Sequence, residues 1–427
     1  MIVGIKRRTQ EEWAIQHILM LPFVFFFLTD ILYLPDFLKY SIDIAWVFLL
    51  ATMVINKFRF RRSVGKIALL IALFFLCSLI GLAFEYQSIF YYLWGFRNNA
   101  RFFVFFLACV AFLRLDNAKS CIAVLDKVYL LNFVVALFQF FVMNKRQDYL
   151  GGVFGTEKGC NAYLNIFMII LATWHLVLYM NEKEKALTCL NRCIIALIVA
   201  AFAELKFFFV ELIIALMVVA IMTKFSKRKI CLGIGSLIII AIFANILKTK
   251  LPQYAAWLDL GKWWDSATAT TGYTNSGDMN RFTSVVISWN RFLDSGLRKL
   301  FGLGLGNCDR ADGINFLTTP FYKAHKNLHY DWFSSSFMIL ETGAVGLTLY
   351  LLFFVQVFIS ARKEQKKYKT EPELYQLAKT MAVICPLLII YDGSMRTEAA
   401  YVMYFVLALP FLKRKNPPGT DALMPNR

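Results

Sequence analysis

Apolar residues in this chain run in unbroken blocks separated by short polar or basic stretches. Blocks of about 17–25 apolar residues cross a hydrocarbon core as helix. The short alternating strands of a membrane barrel are not seen. Only helices or closed barrels satisfy the backbone in lipid, so the pattern predicts an all-α polytopic membrane protein. Twelve spans are expected, at about 15–35, 41–56, 67–84, 102–113, 128–143, 161–180, 192–204, 207–223, 230–247, 336–359, 376–392 and 399–412. The seventh is short for a full crossing. Residues 192–223 are therefore either two spans or a re-entrant hairpin that turns at Glu204-Leu-Lys206.

Polar content orients these spans. Basic clusters fall in every second connection: Lys6-Arg7-Arg8, Lys57 to Lys66, Arg114 with Lys119 and Lys127, Lys224 to Lys229, Arg362 to Lys369, and Lys413-Arg-Lys415. The positive-inside rule then places both termini in the cytoplasm. The first apolar run lacks a small-residue cleavage site and reads as a retained anchor. The expected organisation is spans 1–9 over 1–247, an extracytoplasmic loop over 248–335, spans 10–12 over 336–413, and a cytoplasmic tail over 414–427. The connection between spans 3 and 4, Glu85 to Arg101, is expected on the outer side, as is a loop over 144–160 carrying Gly151-Gly-Val-Phe-Gly155.

Composition narrows the function classes. A chain of 427 residues with 59% hydrophobic and 17% charged positions is not a soluble globular protein. Its formal charge of +18 invites a nucleic-acid partner. The loop-by-loop alternation instead assigns that charge to anionic lipid headgroups, so the lipid bilayer is a partner and nucleic acid is not. The nine cysteines show no CxxC and no Cys/His ligand spacing. Cys160 and Cys308 both fall on the outer side and either pair or remain thiols. No internal repeat is visible, which counts against a secondary transporter.

The interval from Leu247 to Gly346 is the one long stretch that is not hydrophobic, and candidate chemistry gathers there. From Arg281 to Leu300, Phe282, Val285, Val286, Trp289, Phe292, Leu293, Leu297 and Leu300 recur at helical spacing. They predict one amphipathic interface helix with Arg281, Ser284, Ser288, Arg291, Ser295 and Arg298 on its other side. Gly302, Gly304 and Gly306 form a GxGxG run with no Gly-Lys-Ser/Thr after it, so it is a tight turn rather than a P-loop. His325 and His329 stand four apart, as a metal pair on a helix would, but without an HExxH motif; the alternatives are surface histidines or a general base. Tyr254, Trp257, Trp263 and Trp264 are interface anchors or sugar platforms. No metal and no other cofactor is expected. Glu204 and Lys206 at the hairpin tip are either a headgroup-level pair or a cationic floor. With Arg97, Arg101 and Arg396 they place several cations on the outer side, which suits a polyanionic lipid-linked substrate, diphosphate above all.

The arrangement resembles the O-antigen ligase and polysaccharide polymerase (Wzy-type) superfamily. The resemblance rests on the late long loop, Arg281 followed by Trp289 and the Gly-x-Gly turn of Phe301 to Asn307, Lys206 at the short hairpin's tip, and Glu341-Thr-Gly-Ala-Val-Gly346, which is similar to that family's Gly-x-x-Gly. It implies a metal-independent, inverting glycosyltransferase in the bacterial cytoplasmic membrane, acting at the outer face on an undecaprenyl-diphosphate-linked glycan. A chain-length regulator and a flippase of the same pathway are the implied protein partners. In ligases a histidine stands eleven residues before the Gly-x-x-Gly; here that position is Trp332, preceded by Asp331. A polymerase is the better match, with a ligase or a flippase as alternatives. Arg281 and Lys206 would then stabilise the leaving diphosphate, with Arg97, Arg101, Arg291, Arg396 and Glu204 lining the substrate. His325, His329 or Asp331 would orient or deprotonate the acceptor.

Overall fold

The computed structural model describes residues 8–32, 35–223, 277–311 and 314–413, with scattered positions from 226 to 272. Most of the expected span at 230–247, Tyr254, Trp257, Trp263 and the tail from 414 lie outside the described residues. The first eight α-helices are α1 (Gln10–Leu32), α2 (Ser41–Ile55), α3 (Arg62–Phe84), α4 (Ile89–Phe112), α5 (Leu115–Phe141), α6 (Cys160–Met180), α7 (Ala186–Phe202) and α8 (Lys206–Met222). Later in the chain come α9 (Ser284–Phe292), α10 (Gly296–Phe301), α11 (Pro320–His325), α12 (Ser334–Lys367), α13 (Pro372–Tyr391) and α14 (Ala400–Ala408). Among the described residues the only strand-like pairing is a single bridge between Arg114 and Lys413. Seven of these helices (α1, α2, α3, α5, α6, α12 and α13) are long and apolar enough to cross a membrane. The chain is an all-α, membrane-embedded protein.

Burial sorts the helices. Every residue of α14 is buried, and so are most of α6 and α13, which form the centre with the C-terminal half of α4. Around them, α2, α3, α5 and α8 each leave one apolar face open: Ile44, Val54 and Ile55 on α2, Leu69 and Leu76 on α3, Val134 and Phe138 on α5, Met217 and Ile221 on α8. Such faces would be a liability in water and are the expected contact with lipid.

Three sequence expectations change. The stretch expected to connect spans 3 and 4 is helical from Ile89, so the fourth apolar span is only the second half of α4. Nothing in Tyr91 to Arg101 breaks a helix except Gly95, and a glycine there serves close packing. The loop expected at 144–160 is not an open connection but packs between helices: Gly152, Val153 and Phe154 are buried, Phe154 against Phe23, Tyr163 and Phe167. Buried irregular backbone needs partners, and α5 supplies them. Gln139 accepts from Gly152 N–H (2.7 Å) and donates to Gly152 O (2.8 Å), and Asn132 accepts from Val153 N–H (3.0 Å). Finally, the single amphipathic helix is two. It breaks after Phe292, where the Ser295 side chain caps α10 by accepting from Arg298 N–H.

Burial along α9 does not follow the apolar stripe alone. Ser284 and Ser288 are fully buried while Phe282 and Val286 are exposed. Small hydroxyls allow α9 to lie close on α12, and each finds a local acceptor: Arg281 O for Ser284 and Met279 Sδ for Ser288. Phe282 and Val286 face outward, while Val285, Ile287, Trp289 and Phe292 pack on a second apolar cluster that includes the buried Leu293.

Candidate functional site

The turn after α10 sets the site's foundation. Helix α12 is interrupted at Gly343, whose φ of 62° suits glycine; an added Cβ would sit 2.4 Å from the Leu300 carbonyl carbon. The interruption orphans carbonyls, and the glycine run supplies their donors: Leu303 N–H to Leu340 O (2.7 Å) and Gly304 N–H to Glu341 O (3.1 Å). The buried Glu341 carboxylate accepts from Cys308 N–H (3.2 Å). On its other side the turn presses into α4, where a Cβ on Gly95 would lie 2.3 Å from Gly306 N, and against α3, where one on Gly81 would lie 3.1 Å from Gly304 Cα. The GxGxG run is a backbone wedge between α3, α4 and the broken α12, a tight turn as the sequence implied.

This wedge lies at the end of the bundle that carries the long loop, and two ring stacks sit at the same end. In the first, the Tyr391 ring at the end of α13 stacks on Phe207 (4.4 Å, 10°) and carries the Arg281 guanidinium 4.0 Å from its centroid. Phe207 follows Lys206, whose side chain is exposed at the start of α8. Arg281, singled out from sequence, thereby shares Tyr391 with Phe207, the residue after Lys206. Gln147 donates to Glu204 (2.8 Å) and fixes the tip of the α7–α8 connection. In the second stack His329 lies flat on the half-exposed Trp332 (3.9 Å, 16°), with Lys158 Nζ 5.9 Å from the same ring. Gly393, two residues beyond Tyr391, approaches the Asp331 and Trp332 carbonyls, and Arg281 also lies 6.0 Å from the Phe333 ring, so the stacks adjoin.

The other predicted residues are placed differently. Arg97 makes a two-pronged ion pair with Asp43 (3.0 and 2.6 Å). Arg101 is buried on Glu398 (3.0 Å) and donates to Arg396 O (3.1 Å). Arg396 lies over Phe337, 3.6 Å from Asp309, whose other oxygen accepts from Asn98 (2.7 Å). These three cations tie the loop end together through carboxylates of the chain itself. His325 does not converge with His329: α11 ends at His325, His329 adopts a left-handed conformation, and His325 packs on Phe292 and Phe321. Burial and the neighbouring Arg291 push its pKa down. Arg291 itself is exposed over Phe292. Asp331 is half-buried, and burial pushes its carboxyl up against the pull of Arg310 and Arg396. Cys160 and Cys308 are separate buried thiols. Among the described residues no three His, Cys, Asp or Glu side chains gather as metal ligands.

Two carboxyl groups were not singled out from sequence. Asp392 follows Tyr391 and accepts from Ser394 N–H (2.9 Å) and from the Ser394 hydroxyl. Burial raises its pKa to about 6, with the Ser394 hydrogen bonds and the Arg281 charge pulling the other way. Glu211 is fully buried inside α8. Its signal was present, a lone acid in an otherwise apolar span. Asp392 gave none, because a carboxylate in a connecting turn looks the same whether solvated or enclosed.

The loop end thus offers two exposed cations, an arginine on a tyrosine face, an exposed indole and a carboxyl that titrates near neutrality. That set can hold a phosphate-bearing group, stack an apolar or sugar ring, and accept a proton. No protein-family model matches the chain, and no curated protein matches it.

Proposed function

We propose that this chain is a bacterial polysaccharide polymerase that joins oligosaccharide repeat units carried on undecaprenyl diphosphate, at the outer face of the cytoplasmic membrane. The reading takes the loop end as the outer face, both termini as cytoplasmic and twelve crossings for the whole chain. The observation that carries it is the meeting of Arg281 with the Lys206 end of α8 on Tyr391, one residue from Asp392.

In the reaction, the acceptor sugar's hydroxyl oxygen bonds to the anomeric carbon of the donor. The bond from that carbon to the diphosphate oxygen breaks, and its electron pair leaves with the diphosphate. Arg281 and Lys206 stabilise this growing negative charge, an electrostatic role worth about 10²–10³ in rate per donor. The acceptor's proton passes to Asp392, whose pKa near neutrality suits a general base. Trp332, backed by His329, offers a ring face to a sugar, and Lys158 and Asp331 border it. An apolar groove of about 390 Å³ between α3 and α4, lined by Phe75, Leu76, Leu79, Tyr92 and Leu93, is the kind of surface along which an isoprenoid chain lies.

Glycan length in a deletion strain complemented with wild type, Arg281→Ala or Lys206→Ala tests this. The expected result is single repeat units in the deletion strain, a restored ladder with wild type, and none with either well-expressed variant. Full-length chains left unattached to a lipid core would make the protein a ligase. Repeats stranded on the cytoplasmic side would make it a flippase.

A further inference from the structure

Glu211 has no place in that mechanism, yet it is the most costly side chain in α8. It lies five residues beyond Lys206, about 7.5 Å along the helix axis from the loop end. It is fully buried, and among the described residues its side-chain hydrogen-bond partner is Asn165 of α6, also fully buried, whose Nδ2 is 3.2 Å from both carboxylate oxygens. No lysine or arginine among the described residues pairs with it. The neighbouring ionisable groups are Cys385 and Asp392, on or just beyond α13, and the Tyr391 hydroxyl. None of them brings a positive charge.

The hydrogen-bond inventory is lopsided. An ionised Glu211 and Asn165 together present three acceptor oxygens and one amide donor group, and among the described residues nothing donates to the buried Asn165 Oδ1. One proton repairs this. A protonated Glu211 supplies the O–H that Asn165 Oδ1 lacks, while the amide N–H donates to the other carboxyl oxygen, closing a ring of two hydrogen bonds. A bare carboxylate at this depth is far more costly than a neutral acid so paired. A metal cation is the poorer occupant, since three oxygens fall well short of the six or more that a hard cation takes.

We propose that Glu211 and Asn165 form a proton-binding site inside the membrane, reached from the loop end past Asp392. The bound proton keeps a negative charge from forming beneath Arg281 and Lys206. This consequence rests on the anion-binding reading of that surface; the proton site itself does not. A full negative charge on the order of 10 Å below a bound phosphate would weaken binding about tenfold at an effective dielectric constant of about 20.

The test uses the full chain in lipid vesicles and dicyclohexylcarbodiimide, which adds to protonated carboxyl groups in apolar surroundings to give a stable acylurea. Peptide mapping by mass spectrometry should find Glu211 labelled at pH 7, less so at pH 9, and equally in sodium and choline buffers. Absence of label at Glu211 at pH 6 overturns the proposal, and so does protection by sodium, which would make this a cation site. Glu211→Gln and wild type should then bind inorganic diphosphate equally at pH 6, and the variant should bind about tenfold more tightly at pH 9. Labelling without any diphosphate binding would leave the proton site standing and remove the anion-binding reading above it.

Discussion

The contact between Gly95 and Gly306 can be tested by adding one methyl group. Gly95 sits inside α4, so alanine should on propensity alone favour the helix by roughly 1 kcal/mol. The structure opposes that gain. The new Cβ would lie 2.3 Å from Gly306 N, 2.5 Å from Gly306 Cα and 2.7 Å from the Leu305 carbonyl carbon, all of them backbone atoms. Ordinary contact begins near 3.4 Å, so the turn must retreat by about 1 Å. Retreat strains the Leu303 and Gly304 bonds to α12 and the Gln87 bond to Leu305 O, each worth about 1 kcal/mol. Overpacking adds about 1–3 kcal/mol, which leaves Gly95→Ala about 3–5 kcal/mol less stable if all three bonds are lost. Gly65 of α3 is the control, because nothing among the described residues lies within 4 Å of its added Cβ. Thermal unfolding of both variants in one detergent should place Gly65→Ala at or above wild type and Gly95→Ala clearly below it. If Gly95→Ala unfolds as late as Gly65→Ala, the glycine run is not a wedge and the account of the broken α12 fails with it.

Other substitutions probe separate parts. Asn132→Leu leaves the Val153 amide buried without an acceptor, and Gln139→Leu does the same to Gly152; each should cost about 1–3 kcal/mol and expose the 150–155 loop to proteolysis. Arg101→Met strands the Glu398 carboxylate and should cost about 3–5 kcal/mol, much of it recovered when Glu398→Gln is added, as read by Tm. Asp392 acts as a base only when ionised, so with its pKa raised to about 6 the transfer rate on isolated lipid-linked substrate should rise with pH and reach half its plateau near pH 6. Asp392→Asn should leave a low, flat profile, and a wild-type rate without inflection between pH 5 and 7 would assign the base elsewhere.

What could be read from sequence was what depends on length and periodicity. Unbroken apolar runs gave the all-helical membrane class, and Gly302, Gly304 and Gly306 gave a turn. Positions that depend on which of two polar residues meets which were hidden. Arg97, Arg101 and Arg396 look alike in sequence, yet each faces a carboxylate far along the chain, at Asp43, Glu398 and Asp309. His325 and His329 are correctly spaced for a shared helix, but the helix ends between them. On α9 the apolar stripe was legible, whereas the full burial of Ser284 and Ser288 was not. Small side chains fit where α9 lies close on α12, and spacing does not reveal that approach. Asn132 and Gln139 read as stray polar positions in a span until the buried loop they hold is seen.

The wedge also sets a timetable for assembly. Helices α3 and α4 leave the ribosome with their notches at Gly81 and Gly95 unfilled, and the residues that close them come late: Leu305, which Gln87 binds, is 218 positions downstream. At about 5–20 residues per second the seam stays open for on the order of ten to forty seconds. During that time bare helix backbone at Gly81 and Gly95 faces lipid, or whatever insertion factor shields it. The late arrival of the turn then locks together early and late helices in one step, so a chain stalled before it holds a half-built bundle with an unzipped flank.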